Sequence, residues 1–140
     1  MRKDAREAVL VLLYRDAYYG ESDEGFVKKI YAEHKLGEQD CKFADELYSA
    51  IKEHAEEIDG VIASLSNGFA PERIFSTDKC ALKIGVCELK YFPDVPKIVA
   101  VDEAVSLARK YSSEKSPSFV NGILAAYKKQ LEESAECPQE

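Results

Sequence analysis

The first nineteen residues carry four cations, Arg2, Lys3, Arg6 and Arg15, with Tyr14, Tyr18 and Tyr19 among them. Cations beside aromatic rings suit single-stranded RNA, whose unstacked bases lie on the rings while its phosphates pair with the charges. Arg2, Lys3 and Arg6 span about one and a half turns of a helix, so at least two of them reach one stretch of backbone. An arginine there grips a phosphate with paired hydrogen bonds. Tyr14 also continues the apolar face of the same segment, so a packed ring and a stacking platform are both open for it.

Other chemistry is sparse. The sequence has no glycine-rich phosphate loop and no nucleophile elbow, and His34 and His54 have no partner at ligand spacing, which makes them surface or lightly packed histidines. Neighbouring carboxylates such as Glu56 with Glu57, or Asp102 with Glu103, diverge on a helix instead of converging on a substrate. Cys41, Cys80, Cys87 and Cys137 form no C-x-x-C pair, so neither a zinc knuckle nor a redox motif is readable and the thiols are expected as small core residues. These observations predict a protein that is not an enzyme and needs no metal or cofactor.

The elements that position these residues are helical throughout. Ala5, Ala8, Val9, Leu12 and Leu13 share one helical face, and Gly20 and Ser22 end that helix. A weaker pattern, Phe26, Ile30 and Tyr31, stops near Gly37. A third helix is expected to be capped by Asp40 and carries Phe43, Leu47, Ile51, Ala55, Ile58, Ile62 and Leu65, a run long enough to hide a bend, with Asn67 and Gly68 ending it and Pro71 opening a turn. Ser76 is the expected cap of a central helix in which Cys80, Ile84, Cys87 and Tyr91 form one stripe and Leu82, Val86 and Leu89 widen it. Pro93 and Pro96 separate it from a helix with Val101, Ala104, Val105 and Ala108 inward. Ser116 and Pro117 open the last helix, built on Phe119, Ile123, Leu124 and Tyr127, in which Asn121 and Gly122 are expected at a close helix contact. No alternating strand pattern appears. The reading is all-α, one domain over residues 1–131, with an acidic, disordered tail over 132–140.

At 140 residues with 46% hydrophobic and 32% charged side chains, the chain is expected to be a soluble globular domain. The apolar run from Ala8 to Tyr14 is far short of the roughly 20 residues of a membrane span, and no signal-peptide pattern opens the sequence, so a cytoplasmic location is expected. The net charge of -7 argues against nucleic acid until its distribution is read. Residues 1–19 carry four basic and three acidic groups, 20–89 eight and fifteen, 90–129 seven and four, and 130–140 none and four. Two basic regions therefore lie far apart in sequence, and a fold that joins them would build a basic face on an acidic protein.

Three segments carry a resemblance. The opening AREAVLVLLY from Ala5 to Tyr14, the middle CALKIGVCELKYFPDVPKIVAVDEAVSLARKY from Cys80 to Tyr111, and FVNGIL from Phe119 to Leu124 resemble the NusB family of transcription antitermination factors, in that order and spacing. The resemblance implies six to seven helices in two packed bundles. It also implies binding of the boxA element of ribosomal RNA leader transcripts as single-stranded RNA, together with ribosomal protein NusE, within the RNA polymerase antitermination complex. By matched position, the RNA surface would draw on Arg2, Lys3, Arg6 and Tyr14 at one end and on Glu114, Lys115, Ser116 and Phe119 at the other. Phe119 has a competing explanation, since an aromatic in the first turn of an amphipathic helix also suits a core. For NusE, the exposed members of the segment from Lys79 to Tyr91 are candidates. Two other readings accompany this one: an accessory domain to a ribosomal RNA cytosine methyltransferase, and a homodimer that uses the basic face for self-association.

Overall fold

The computed structural model describes residues 1–66 and 73–136, and its described elements are seven α-helices: α1 (Arg2–Tyr19), α2 (Glu24–Glu33), α3 (Glu38–Glu53), α4 (Ala55–Leu65), α5 (Ser76–Tyr91), α6 (Lys97–Tyr111) and α7 (Ser116–Glu136). No strand occurs among the described residues. The first bundle packs α1 against α2 and α3, the second packs α5, α6 and α7 together with α4, and α5 joins the two by touching α1 and α3. This is the expected all-α architecture. Ten residues of α5 are buried, because its stripe faces three helices of its own bundle and two of the other.

The crossing of α5, α6 and α7 depends on one glycine. A Cβ placed on Gly85 would lie 2.6 Å from Leu124 Cδ1 and 3.1 Å from Ala104 Cβ, so only a bare backbone lets the three helices approach this closely. The expectation of a close contact at Asn121 and Gly122 is corrected here. Both face solvent, and a Cβ on Gly122 would meet nothing within 4 Å. Nothing in the structure explains a glycine at that position.

Three helix starts also differ from expectation. Gly37 precedes α3 and its carbonyl accepts the Cys41 amide at 2.9 Å, while Asp40 lies inside the first turn and accepts from the chain's amino terminus. Phe75, and not Ser76, stands at the N-cap of α5, and it offers no side-chain hydrogen bond there. At α7 the Lys115 carbonyl accepts the Phe119 amide at 3.2 Å, and the Ser116 hydroxyl turns back to the loop instead of capping its own helix. In each case the helix starts at or before the polar residue, and Asp40 and Ser76 find tertiary partners while Ser116 bonds back to the turn before it.

The long apolar pattern does contain a bend. It falls at His54, whose amide donates to the Ala50 carbonyl at 3.0 Å and whose own carbonyl accepts from Ile58 at 2.9 Å. The His54 ring stacks on Tyr91, with centroids 3.9 Å apart, so the bend is pinned to the end of α5. In α6, Val105 is half-buried and Leu107 takes the inward place expected for it. Asn67, Gly68, Pro71 and Cys137 lie outside the described residues. Helix α7 continues to Glu136, with 132–135 exposed.

Candidate nucleic-acid interface

The two ends of α1 treat their cations differently. Near its start, Arg6 is drawn inward, its side chain only 5% exposed, and donates from Nε and Nη2 to the two carboxylate oxygens of Glu88 at 2.8 and 2.7 Å. Its guanidinium lies 5.2 Å from the centre of the Phe43 ring, and that of Arg2 covers the same ring at 4.5 Å. Arg2 also reaches Asp94 at 3.2 Å on the surface. Burial pushes the Glu88 carboxyl above the ordinary carboxylate range, against the pull of the Arg6 charge beside it. Arg6 was expected to grip a phosphate, but the structure places it inward with its fork filled by a buried carboxylate. Its position in sequence held a signal, because Arg6 lies three and four residues before Val9 and Leu10, both buried, and so borders the apolar stripe.

Toward the other end of α1 the surface opens. Lys3, Glu7, Leu10, Tyr14 and Tyr18 follow one another at spacings of three and four, so they form one stripe along the helix. Lys3 is exposed and forms no ion pair among the described residues. Glu7 accepts from Lys110 Nζ at 2.7 Å and from the Tyr111 hydroxyl. Burial acts to raise the Glu7 carboxyl, but these two donors outweigh it and hold the group below its usual range. The acidic residue in the middle of the stripe is thus neutralised by its neighbours, and Tyr111 is fixed in place.

Tyr14 is 43% exposed, and its ring centre lies 5.1 Å from that of Tyr18. The Tyr18 and Ser76 hydroxyls meet at 3.0 Å, which ties the end of α1 to the start of α5. From Tyr14 the surface continues as three adjoining hollows. One of about 330 Å³ lies between Tyr14, Arg15 and Tyr111, a second of about 570 Å³ between Tyr14, Tyr18 and Phe75, and a third of about 240 Å³ between Phe75, Lys115 and Phe119. Arg73 borders the second and the third. The groove brings together Tyr14 from the first basic region and Lys115 from the second, which the charge distribution had left far apart.

The turn that presents Lys115 is held from beneath by hydroxyls. Ser112 donates to Asp78 at 2.5 Å, Ser116 donates to Ser112 at 2.9 Å, and the Ser113 amide donates to Ser116 Oγ at 3.2 Å. Ser116 is consequently buried, 1% exposed, and the structure does not bring it to the surface where the resemblance placed it. Glu114 and Lys115 are exposed at the tip, and Phe119 is half-buried beside them. Arg73 and Phe75 were missed from the sequence. Their signal is a cation and an aromatic two residues apart, just ahead of a helix and outside its apolar period. Cys80 and Cys87 are buried, with thiols raised by burial to about 11 and about 12, and no group of three or more ligand-type side chains among the described residues could hold a metal.

Comparison with known proteins fits this architecture. The model of the NusB family matches residues 3–129. The chain belongs to the NusB family. Among its relatives, the transcription antitermination protein NusB of Finegoldia magna is 32% identical over 134 residues, covering 96% of this chain and 98% of that protein. A solved structure of the antitermination factors NusB and NusE in complex with dsRNA superposes with a TM-score of 0.82 at 30% identity, over 92% of this chain and 96% of that one. The solution structure of NusB from Aquifex aeolicus gives 0.78 at 31% identity, over 99% and 93%. In this NusB-family chain the segments that carry the resemblance bind one another: Arg6 meets Glu88, Glu7 meets Lys110 and Tyr111, and Gly85 meets Ala104 and Leu124. Among the described residues no helix is long and apolar enough to cross a membrane.

Proposed function

We propose that this chain is a transcription antitermination adaptor of the cytoplasm that binds boxA-type RNA together with ribosomal protein NusE and catalyses no reaction. The observation that carries the reading is the groove that Tyr14, Tyr18, Phe75 and Phe119 line together with Arg73 and Lys115. Rings accept unstacked bases of any identity, and cations along one edge follow the phosphates. Within residues 1–131, the RNA surface comprises Tyr14, Lys115 and Phe119 with Lys3 upstream and Glu114 at the rim, while Arg6 and Ser116 act beneath it as positioning residues. The acidic segment 132–140 adds no cation to it.

The cations are few for a phosphate-binding surface, and the middle of the chain is acidic. RNA affinity of the chain alone is therefore weak, and a second protein surface supplies the rest. The face between α4 and α5, where Lys79 and Lys83 flank Asp59 around a hollow of about 380 Å³, suits that partner. The test is binding of a boxA oligonucleotide, single-stranded and as a duplex, by this chain with and without NusE. A marked gain with NusE and a preference for the single strand are expected. Equal affinity with and without NusE, or no RNA binding in either case, would overturn the reading.

A further inference from the structure

Phe75 is the residue in the groove whose place folding does not explain. It occupies the N-cap of α5, where Ser, Thr, Asp or Asn would satisfy an orphan amide, yet it offers no such bond and leaves its ring 62% exposed. Its immediate neighbour Ser76, which has the side chain a cap needs, is instead bonded to Tyr18. The chain thus forgoes a cap and exposes a large apolar surface at the same point.

The ring has a geometric role. Phe75 borders both the hollow with Phe119 and Lys115 and the hollow with Tyr14 and Tyr18, so it forms the ridge between them. Arg73, exposed two residues earlier, borders the same two hollows. A ridge of this kind, with a cation beside it and a platform on either side, matches a polyanion whose flat groups are splayed apart. It matches a protein partner less well, since the aromatic surface is divided into separate hollows instead of forming one continuous apolar face.

We infer that Phe75 is a stacking platform that separates two successive RNA bases, one held toward Phe119 and the next toward Tyr14 and Tyr18, with Arg73 on the phosphate between them. The inference rests on the RNA reading above and adds to it the residue that splays the strand. Base stacking on one ring is sequence-tolerant, so loss of the ring weakens all sequences, whereas loss of the cation lowers the salt dependence.

The experiment measures affinity of a single-stranded boxA oligoribonucleotide across a salt series, with and without NusE, for the wild-type chain and for Phe75→Ala, Phe75→Ser, Phe75→Tyr and Arg73→Ala. Phe75→Ala and Phe75→Ser are expected to weaken binding roughly 5- to 150-fold with an unchanged salt slope, and Phe75→Tyr to keep it. Arg73→Ala is expected to reduce the slope by about one. Phe75→Ser installs the missing cap, so its thermal midpoint is expected to rise by on the order of 3 °C while RNA affinity falls. A structural role for the ring would lower both together and would overturn the inference. Wild-type affinity in both truncations, with the wild-type chain binding normally, would overturn it and leave the RNA reading standing. So would variants that bind RNA alone as the wild type does but lose the gain from NusE, since Phe75 would then contact the protein partner. No binding by the wild-type chain under any condition would remove the RNA reading itself.

Discussion

The two ends of α1 are built from the same kinds of side chain and come to opposite ends. At the start, Arg2 and Arg6 lie over Phe43, and Glu88 completes the set inside the protein. Farther along, Tyr14 and Tyr18 meet Phe75, Phe119, Arg73 and Lys115, with no carboxylate bonded to either cation among the described residues. What separates them is the partner of the buried acid: Glu88 binds Arg6, whereas Asp78, buried at the open end, is taken by Ser112. Where α5 supplies Glu88, the cation and ring are consumed by the fold; at Phe75, just before α5, the ring stays 62% exposed. Cation next to aromatic is therefore ambiguous in sequence until the nearest carboxylate is known.

The largest test of that contrast removes the acid. Glu88→Ala removes both carboxylate hydrogen bonds of the buried Arg6 guanidinium and leaves it only Glu103, 4.0 Å from Nη1, which costs about 3–5 kcal/mol of stability. Denaturant unfolding of the variant reads it directly. The double variant Arg6→Met with Glu88→Leu should recover most of that loss, because two apolar side chains replace a desolvated pair without leaving a charge behind. RNA binding by the double variant should keep the wild-type salt slope. A slope reduced by about one would mean that Arg6 leaves Glu88 for a phosphate, and the contrast between the two ends would fail.

A smaller effect is expected at the open end, and in a different measurement. Tyr14→Ala should leave the unfolding midpoint close to wild type and weaken RNA binding roughly 5- to 150-fold. Phe119 is half-buried, so Phe119→Ala should divide its effect: about 2 kcal/mol of stability, near half the loss of a fully buried ring, and an affinity loss of about 1–3 kcal/mol. Stability loss without affinity loss would make Phe119 a core residue and shorten the groove to its Tyr14 side.

Much of this architecture is legible in the amino-acid sequence. The helical period placed α1, α5 and α7 and their inward residues, because burial on one face repeats every three to four positions whatever the partner. The start of each helix was less legible. Asp40, Ser76 and Ser116 have the chemistry of caps, but the first two are claimed by tertiary partners that no local rule contains, the amino terminus and Tyr18, and the third by the serine turn that precedes it. The same holds for the site. Tyr14, Lys115 and Phe119 were identified by resemblance and do line one groove, whereas Arg6 and Ser116 were assigned to the surface and are buried. Resemblance preserves a residue's importance without saying which side of the surface it serves. Phe75 and Arg73 lay outside both signals, since they belong to no helical stripe and to none of the three matching segments.

The smallest effect concerns the two cations that stand side by side in sequence, Arg2 and Lys3. From sequence they are equivalent. On the helix they are about 100° apart, which turns Arg2 toward Phe43 and puts Lys3 on the stripe that leads to Tyr14. Arg2 already has a carboxylate at 3.2 Å and a ring beneath it, so a phosphate would gain little from it beyond what Asp94 loses. Lys3 has no such partner among the described residues. Arg2→Ala should therefore cost up to about 1 kcal/mol of stability, the range of an exposed ion pair and an exposed cation on a ring, and leave the salt slope unchanged. Lys3→Ala should change stability by no more than about 0.5 kcal/mol and lower the slope by about one, as should Lys115→Ala. An equal drop for Arg2 and Lys3 would mean that RNA displaces Asp94. The phosphate path would then run over the closed end of α1 as well, and Phe43 would have to be counted with the groove and not with the core.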